Sequence, residues 1–374
     1  MKAKRVKAVA KKEFYQIRRD LRSLILAFAL PSLLMLLFGY AITLDIKDIP
    51  IAFWDQDHTQ KSKEFIRKFE ESRYFEVKEE VDNYQKLQKL LDKGRIKIGL
   101  VIPAGFAEGI YSGEEVQIQT LLDGSDGNTG TIGLGYVSGL TSSYTLNVLQ
   151  EEKKFLSLKP PLDYRVRVWY NPDLKSTNFI IPGLIAAIIM IVAALLTSLT
   201  FAREWERGTM EQLLSTPVKP LELIFGKFIP YFVIGAIDVV MVLLLGTFLF
   251  KVPLRGDILL LSGVCLIYLI GATGLGILIS VLTKSQLLAN QIGWLATFLP
   301  TFLLSGFIFP IFNMPKPIQA ITYLVPARYF IKILRDIFLK GNGIICFYWE
   351  VIFLLLFCLA MFFLAVSSFK KRMK

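Results

Sequence analysis

Cysteine and histidine are scarce in this sequence, and no nucleotide-binding loop is present. The 374 residues include three cysteines, all in or beside apolar segments, and one histidine, His58. Without a CxxC motif or further histidines, neither a disulfide framework nor a Cys/His metal centre is predicted, and His58 is interpreted as a surface residue near a helix start. The pattern GxxxxGK[ST] is also absent, which excludes ATP binding through a P-loop in these residues.

Apolar residues, by contrast, are abundant. Hydrophobic residues make up 53% of the sequence and the mean hydropathy is +0.50, which is typical of a polytopic membrane protein. The formal net charge is +12, but residues 45–176 hold 18 Lys and Arg against 21 Asp and Glu. The positive excess therefore lies beside the apolar segments, where it indicates cytoplasmic loops, and no nucleic-acid partner is predicted.

Apolar segments of about 20 residues predict an all-α membrane domain of six transmembrane helices. The predicted spans are 23–44, 178–202, 222–250, 258–282, 288–312 and 345–367. Residues 1–22 predict a basic amphipathic helix on the membrane surface, 45–176 an inserted extracytoplasmic α/β domain, and 368–374 a basic cytoplasmic tail. Six crossings place both termini in the cytoplasm. A five-span alternative, with 288–312 re-entrant, would place the basic loop 313–344 inside but would expose the tail outside.

The segment 203–220 is charged, although it lies between two predicted spans. A central Arg or Asp costs a membrane helix about 2.5–3.5 kcal/mol, so this segment is expected in water at a membrane face. Its apolar residues recur at helical spacing, at Met210, Leu213, Leu214 and Pro217. Charge and an apolar stripe together predict a short helix that another protein contacts. The alternative is a solvated loop without a partner.

Two runs of residues carry a family resemblance. The run from Arg203 to Lys227 reads RExExGTxExLLxTPVxPxExxxGK, and the second run contains Leu304-Ser305-Gly306, Pro310 and Arg328-Tyr329-Phe330. Both runs are similar to those of ABC-2 type transporter permeases, in the multidrug-exporter-like branch with a large external loop after the first span. The resemblance covers essentially the whole chain.

The resemblance implies a permease subunit of an ATP-binding cassette exporter in the bacterial cytoplasmic (inner) membrane, which moves hydrophobic or amphipathic compounds outward. It implies that 203–220 is a cytoplasmic coupling helix, and that ATP binds to a separate ATPase subunit and not to this chain. The docking residues it implies are Arg203, Glu204, Glu206, Arg207, Gly208, Thr209, Glu211, Leu213 and Leu214. The partners expected are that ATPase, a second permease copy (identical or a paralogue), membrane lipid and a possible periplasmic adaptor. The chain alone is expected not to be catalytic.

The resemblance also implies a broken outer end for the span 288–312. An external interfacial helix is expected within 313–344, because apolar residues recur there at helical spacing opposite two basic ones. Its predicted apolar stripe consists of Phe330, Ile333, Leu334, Ile337 and Phe338, with Lys332 and Arg335 opposite.

Asp238, Gly306 and Pro310 are the candidate pathway residues. Asp238 is the one acid deep within a predicted span, so it is either a substrate contact or proton site, or a partner in a hydrogen bond between helices. An ion-coupled secondary transporter with Asp238 as its proton site is the alternative function, and a membrane-anchored sensor is a third. The small residues of Gly271–Gly276 predict close helix packing and not a nucleotide loop.

Overall fold

The chain forms two compact units in a computed structural model that describes residues 2–41, 48–125, 127–151, 169–171 and 175–372. The units are Met1–Thr43 with Arg167–Lys374, and Leu44–Val166. The helices are α1 (Ala3–Arg19), α2 (Leu21–Leu24), α3 (Leu30–Ala41), α4 (Gln60–Glu70), α5 (Tyr84–Asp92), α6 (Phe106–Ser112), α7 (Gly127–Glu151), α8 (Ser176–Glu206), α9 (Thr209–Leu214), α10 (Pro220–Leu244), α11 (Ile258–Leu282), α12 (Gln286–Leu303), α13 (Lys316–Thr322), α14 (Pro326–Arg335) and α15 (Tyr348–Arg372). The strands are β1 (Ile49–Asp55), β2 (Phe75–Glu80), β3 (Ile98–Ile102) and β4 (Gln119–Leu122).

Within the described residues, four helices are long and apolar enough to cross a membrane. They are Ser176–Glu206, Pro220–Leu249 (α10 with a π-helical turn), Ile258–Leu282 and Tyr348–Lys370. The described part of the predicted span 23–44 contains only a shorter apolar helix, Ala27–Ala41, and residues 42–44 lie outside the description. In the predicted span 288–312 the helix ends at Leu303. Four of the six predicted spans therefore correspond to long apolar helices among the described residues, and the other two stay predictions.

Helix α8 is the buried centre of the first unit. Its most apolar stretch is 94% buried, whereas the corresponding stretch of α15 is only 22% buried. Residues Ile180–Leu196 are apolar or small on every side, as expected for a helix that other helices surround. The neighbours of α8 are α3, α10, α11, α12 and α14. A displacement of α8 would therefore disturb the packing of most of this unit.

Small residues bring α11 close to its neighbours. A Cβ atom added to Gly276 would lie 2.0 Å from Oγ1 of Thr197 and 2.3 Å from the carbonyl oxygen of Ala194, both in α8. One added to Gly271 would lie 2.7 Å from the Phe357 ring in α15. These contacts confirm that the glycines of this segment serve helix packing.

Helix α1 packs one of its faces against α10. The residues it buries are Val6, Val9, Glu13 and Ile17. A Cβ atom added to Gly226 of α10 would lie 2.6 Å from Cβ of Val9, so the two helices are in close contact. The helix predicted for 1–22 is thus more than a surface helix. Its inner face packs on the protein, while Phe14 and Leu21 remain 50% and 70% exposed.

The chain after α12 bends before it forms further helices. Gly306 adopts φ +79°, a left-handed conformation that glycine reaches without steric cost. Helix α14 then packs against α8, α11 and α15, and its Phe330 ring stacks on Tyr268 with centroids 3.9 Å apart. The predicted interfacial helix in 313–344 is corrected here, because its apolar stripe packs on protein and not on lipid. The buried residues of that stripe are Phe330, Ile333, Leu334, Ile337 and Phe338.

The second unit contains a four-stranded sheet in the order β2-β1-β3-β4. Strand β1 pairs in parallel with β2 and with β3, and β4 pairs antiparallel with β3. The crossovers between the parallel strands contain α4 and α5, as parallel pairing requires. Every residue of β3 is buried, and the core beside it is aromatic, with Phe53, Phe65 and Phe69 fully buried. Residues 152–168 and 172–174 of the predicted domain 45–176 lie outside the described residues.

His58 lies in the loop between β1 and α4 and is exposed, two residues before α4 begins. This position confirms that it is a surface residue near a helix start. The neighbouring Asp57 accepts hydrogen bonds from the Thr59 hydroxyl and from the backbone amides of Gly105 and Ala107. Burial acts to raise the pKa of Asp57, but these hydrogen bonds outweigh it and lower the pKa below its usual value.

Candidate functional site

The segment 203–220 consists of two helices separated by a glycine turn. Helix α8 ends at Glu206, Gly208 adopts φ +69°, and α9 runs only from Thr209 to Leu214. The Thr209 hydroxyl donates to the Glu204 carboxylate and shares this hydrogen with the carbonyl oxygen of Glu204, which lies 3.3 Å away, and this contact closes the turn. The single coupling helix predicted here is therefore corrected, because Gly208 interrupts it.

The apolar side of α9 faces the protein's own helices. Met210 is fully buried against Phe201, Ile224 and Ile277, and Leu213 packs on the same cluster. The side chain of Leu214 lies outside the described part of the structure. Met210 therefore anchors α9 to its own chain, and the prediction that a partner meets this residue is corrected. The docking role expected of Leu213 and Leu214 stays a prediction.

A buried group of charges lies behind the turn. Nζ of Lys227 in α10 is 2.5 Å from Oε1 of Glu13 and 3.3 Å from Oε1 of Glu204, and it donates to the carbonyl oxygen of Thr200 at 3.2 Å. Nζ of Lys12 lies 2.7 Å from the same Glu204 oxygen. Buried charges are tolerated only when they are paired and hydrogen-bonded. These contacts join α1, α8 and α10 at one place.

Arg203 belongs to the same region, since its guanidinium NH1 lies 3.0 Å from Oδ2 of Asp20. Arg203 is 7% exposed and Glu204 4% exposed. The prediction that these two residues lie in water and meet a partner directly is corrected. The basic N-terminal helix covers them, and their charges are paired with residues from outside the predicted segment.

A second contact joins the start of α1 to the end of the segment. The Glu222 carboxylate accepts hydrogen bonds from the backbone amides of Lys2 at 2.6 Å and Lys219 at 3.1 Å. Arg5 lies 3.6 Å from the same carboxylate and also donates to the carbonyl oxygen of Pro217. Both ends of the segment are thus tied to α1, so a movement of the segment would be passed to that helix.

The exposed residues of the turn and of α9 are mostly charged or polar. They are Glu206, Arg207, Gly208, Glu211 and Gln212. The Glu206 carboxylate also accepts a hydrogen bond at 2.7 Å from the backbone amide of Gln286, the first residue of α12. This exposed surface is therefore fixed to α8 and to α12, and another protein can reach it.

Comparison with known proteins identifies the family. The family model described as ABC-2 family transporter protein matches residues 21–367. The chain belongs to the ABC-2 transporter family. It is 38% identical over 353 residues to the probable multidrug ABC transporter permease YbhS of Escherichia coli, covering 94% of this chain and 93% of that protein. It is 30% identical to YbhR, a second probable multidrug ABC transporter permease of the same organism, covering 88% and 90%. The inner membrane transport permease YhhJ is 27% identical, covering 86% and 85%.

Membership of the ABC-2 family confirms the sequence resemblance. These relatives are named permeases, the transmembrane components of transporters, and such a chain is not catalytic alone. The sequence did not reveal the Lys227–Glu13 contact of this ABC-2 protein, although one signal for it exists. Glu13 follows Val6 and Val9 on one face of α1, and a carboxylate on an apolar face requires a buried cation.

The candidate pathway residues of this ABC-2 protein lie in separate places. Asp238 is 2% exposed in α10, and its Oδ1 atom has no hydrogen-bond partner among the described residues. The carbonyl oxygen of Gly306 accepts from both terminal nitrogens of Arg335 at 3.4 Å, and Pro310 is exposed. No hydrogen bond or ion pair between described residues joins Asp238 to Gly306 or Pro310. In the same described part of the chain, no group of His, Cys, Asp and Glu residues is placed to hold a metal ion.

Proposed function

We propose that this chain is the membrane-spanning subunit of an ATP-binding cassette exporter for hydrophobic or amphipathic compounds. Its family and the names of its relatives YbhS and YbhR support this proposal. ATP binds to a separate ATPase subunit, and the pathway lies between two permease copies, identical or paralogous. The observation that carries the proposal is the exposed polar surface from Glu206 to Gln212, which continues directly from the buried central helix α8.

In this proposal the ATPase contacts the exposed residues Glu206, Arg207, Gly208, Glu211 and Gln212. Closure of the ATPase on ATP displaces the Glu206 end of α8. The buried ion pairs of Glu204 carry the displacement to α1 and α10, and the hydrogen bond of Glu206 carries it to α12. Arg203 and Glu204 transmit the movement within the chain and do not themselves contact the ATPase.

The membrane arrangement proposed has six spans, with the segments 23–44 and 288–312 added to the four long apolar helices. Both termini lie in the cytoplasm, and the sheet-containing unit lies on the far side of the membrane, where a periplasmic adaptor could bind. The name of the relative YhhJ supports an inner-membrane location. Membrane lipid surrounds the helices.

The experiment compares a charge reversal at an exposed residue with the removal of a charge at a buried residue. The tagged chain is co-expressed with a candidate ATP-binding cassette ATPase subunit. Arg207→Glu is expected to reduce ATPase capture and permease-stimulated hydrolysis about tenfold. An ATPase surface that complements an arginine repels a glutamate in the same place. Glu204→Gln should lower the yield of folded permease but leave capture per folded molecule unchanged. Lys316→Glu, at an exposed site in α13, serves as the control. Undiminished capture by Arg207→Glu would contradict the docking role.

Asp238 supports one other candidate function, an ion-coupled secondary transporter, because its Oδ1 atom is buried without a described partner. That function predicts that the purified chain, reconstituted without any ATPase, transports its substrate when a proton gradient is applied. The exporter proposal predicts no such transport.

A further inference from the structure

A cleft of about 790 Å³ opens among α1, α8 and α12, next to the buried charge cluster. Its charged lining residues are Lys12, Arg19, Asp20, Arg203 and Arg207, so cations outnumber anions. The side chains of Gln16, Gln286 and Asn290 add neutral amides that can donate hydrogen bonds. The cleft is thus a concave surface rich in donors, of a size that suits a small polar ligand or a lipid headgroup.

Two of the cations in the cleft are available to a ligand. Lys12 is paired with Glu204, and Arg203 with Asp20. Arg19 and Arg207, in contrast, are exposed and make no ion pair with any residue in the described part of the chain. A guanidinium group presents parallel N–H donors that match the oxygens of a phosphate, so an anionic phosphate group fits this place.

An aromatic stripe rises from the same cleft along α12. Asn290 lines the cleft, and Trp294 and Phe298 follow it at intervals of four residues on nearly the same side of the helix, with Phe302 buried one turn farther on. The ring centroids of Trp294 and Phe298 are 5.7 Å apart, and those of Phe298 and Phe302 are 4.5 Å apart. Trp294 and Phe298 are half-buried, so part of each ring is accessible. One side of α12 is therefore polar beside the cleft and aromatic farther along. This order matches the polar headgroup and the apolar chain of an amphiphile.

We propose that this cleft binds a phosphate-bearing amphiphile, with the headgroup between Arg19 and Arg207 and the acyl chain along Trp294 and Phe298. Basic residues near a membrane surface attract anionic lipids, and aromatic residues are enriched at that depth. An acidic protein surface would also be attracted to the arginines, but it would not use the aromatic stripe. The inference concerns binding and is independent of which compound the chain transports.

The test measures quenching of tryptophan fluorescence by brominated lipid. The full-length protein is reconstituted in phosphatidylcholine bilayers that contain a small fraction of brominated phosphatidylglycerol or, in parallel, brominated phosphatidylcholine. The quenching attributable to Trp294 is the difference between the protein and its Trp294→Phe variant. We expect the phosphatidylglycerol probe to quench Trp294 more strongly. Arg19→Gln is expected to weaken its apparent affinity about fivefold, since one cation contributes about 1 kcal/mol at an anionic lipid surface.

Arg18→Gln is the matched control, because Arg18 is exposed on the same helix and does not line the cleft. It should leave the affinity within about twofold of the unmodified protein. Equal quenching by the two lipids would overturn the proposal, and so would an equal loss in Arg18→Gln and Arg19→Gln. Displacement of the probe by excess inorganic phosphate would assign the cleft to a free anion and overturn the lipid assignment. Displacement by the ATPase subunit, with no lipid preference beforehand, would assign it to protein docking.

Discussion

Ion pairs hold one end of α8, whereas aromatic rings hold the other. At the Glu206 end, Lys12 and Lys227 pair with Glu204 of the helix, and Lys227 also pairs with Glu13 of α1. At the Ser176 end, the Arg335 guanidinium lies 3.6 Å from the Phe179 ring centroid, and a Cβ atom on Gly183 would lie 2.2 Å from the Phe307 ring. The two ends of α8 therefore differ in the free energy that a displacement of the helix would cost.

Buried ion pairs depend on close approach, and separating them leaves a charge without a partner at a cost of several kcal/mol. Aromatic contacts are weaker individually and tolerate several relative orientations. A push applied at the Glu206 end is therefore expected to move α1, α8 and α10 together. The helices at the Ser176 end can repack with a smaller loss of stability.

The largest effect is expected from Lys227→Met. This change leaves Glu13 and Glu204 buried without their shared cation, and removing one member of a buried ion pair costs about 3–5 kcal/mol. The midpoint of thermal unfolding in detergent should fall accordingly. Glu13→Gln and Glu204→Gln, added to the same variant, should recover most of the loss. Lys7→Met, at an exposed position of α1, is the control, and an equal effect of both lysine changes would refute the buried network.

An intermediate effect is expected from Gly276→Ala in α11, at its contact with Ala194 and Thr197 of α8. The added Cβ would lie 2.3 Å from a backbone oxygen of α8, and overpacking of this kind costs about 1–3 kcal/mol. Gly263→Ala in the same helix meets no atom within 4 Å and should change stability by less than about 1 kcal/mol. Unfolding midpoints of the two variants make the comparison. Indistinguishable midpoints would show that α11 and α8 are not in close contact there.

The smallest effect is expected at the Ser176 end, from Arg335→Gln. The variant loses the contact with Phe179 and the hydrogen bonds to Gly306, and an interaction between a cation and a ring contributes about 0.5–2 kcal/mol. Lys316→Gln, exposed in α13, controls for the charge. A loss as large as that of Lys227→Met would remove the contrast between the two ends of α8.

The sequence predicted the family and the long apolar helices, because twenty apolar residues in a row and a dense motif are local patterns. It did not predict the burial of Arg203 and Glu204, because the residues that pair with them lie in α1 and α10, far along the chain. The inward orientation of Met210 and Phe330 was missed for a related reason. An apolar stripe looks the same whether it faces lipid, a partner protein or a helix of the same chain.

The separation of Glu13 and Lys227 along the chain has a consequence for biosynthesis. The two residues are 214 positions apart, so α1 is made long before its cation exists. Until α10 has been inserted, the carboxylate of Glu13 has no lysine to meet, and the basic residues of α1 are free to hold that helix at the anionic membrane surface. Formation of the ion pair therefore requires α10, so α1 can dock fully on the protein only after that helix has been made.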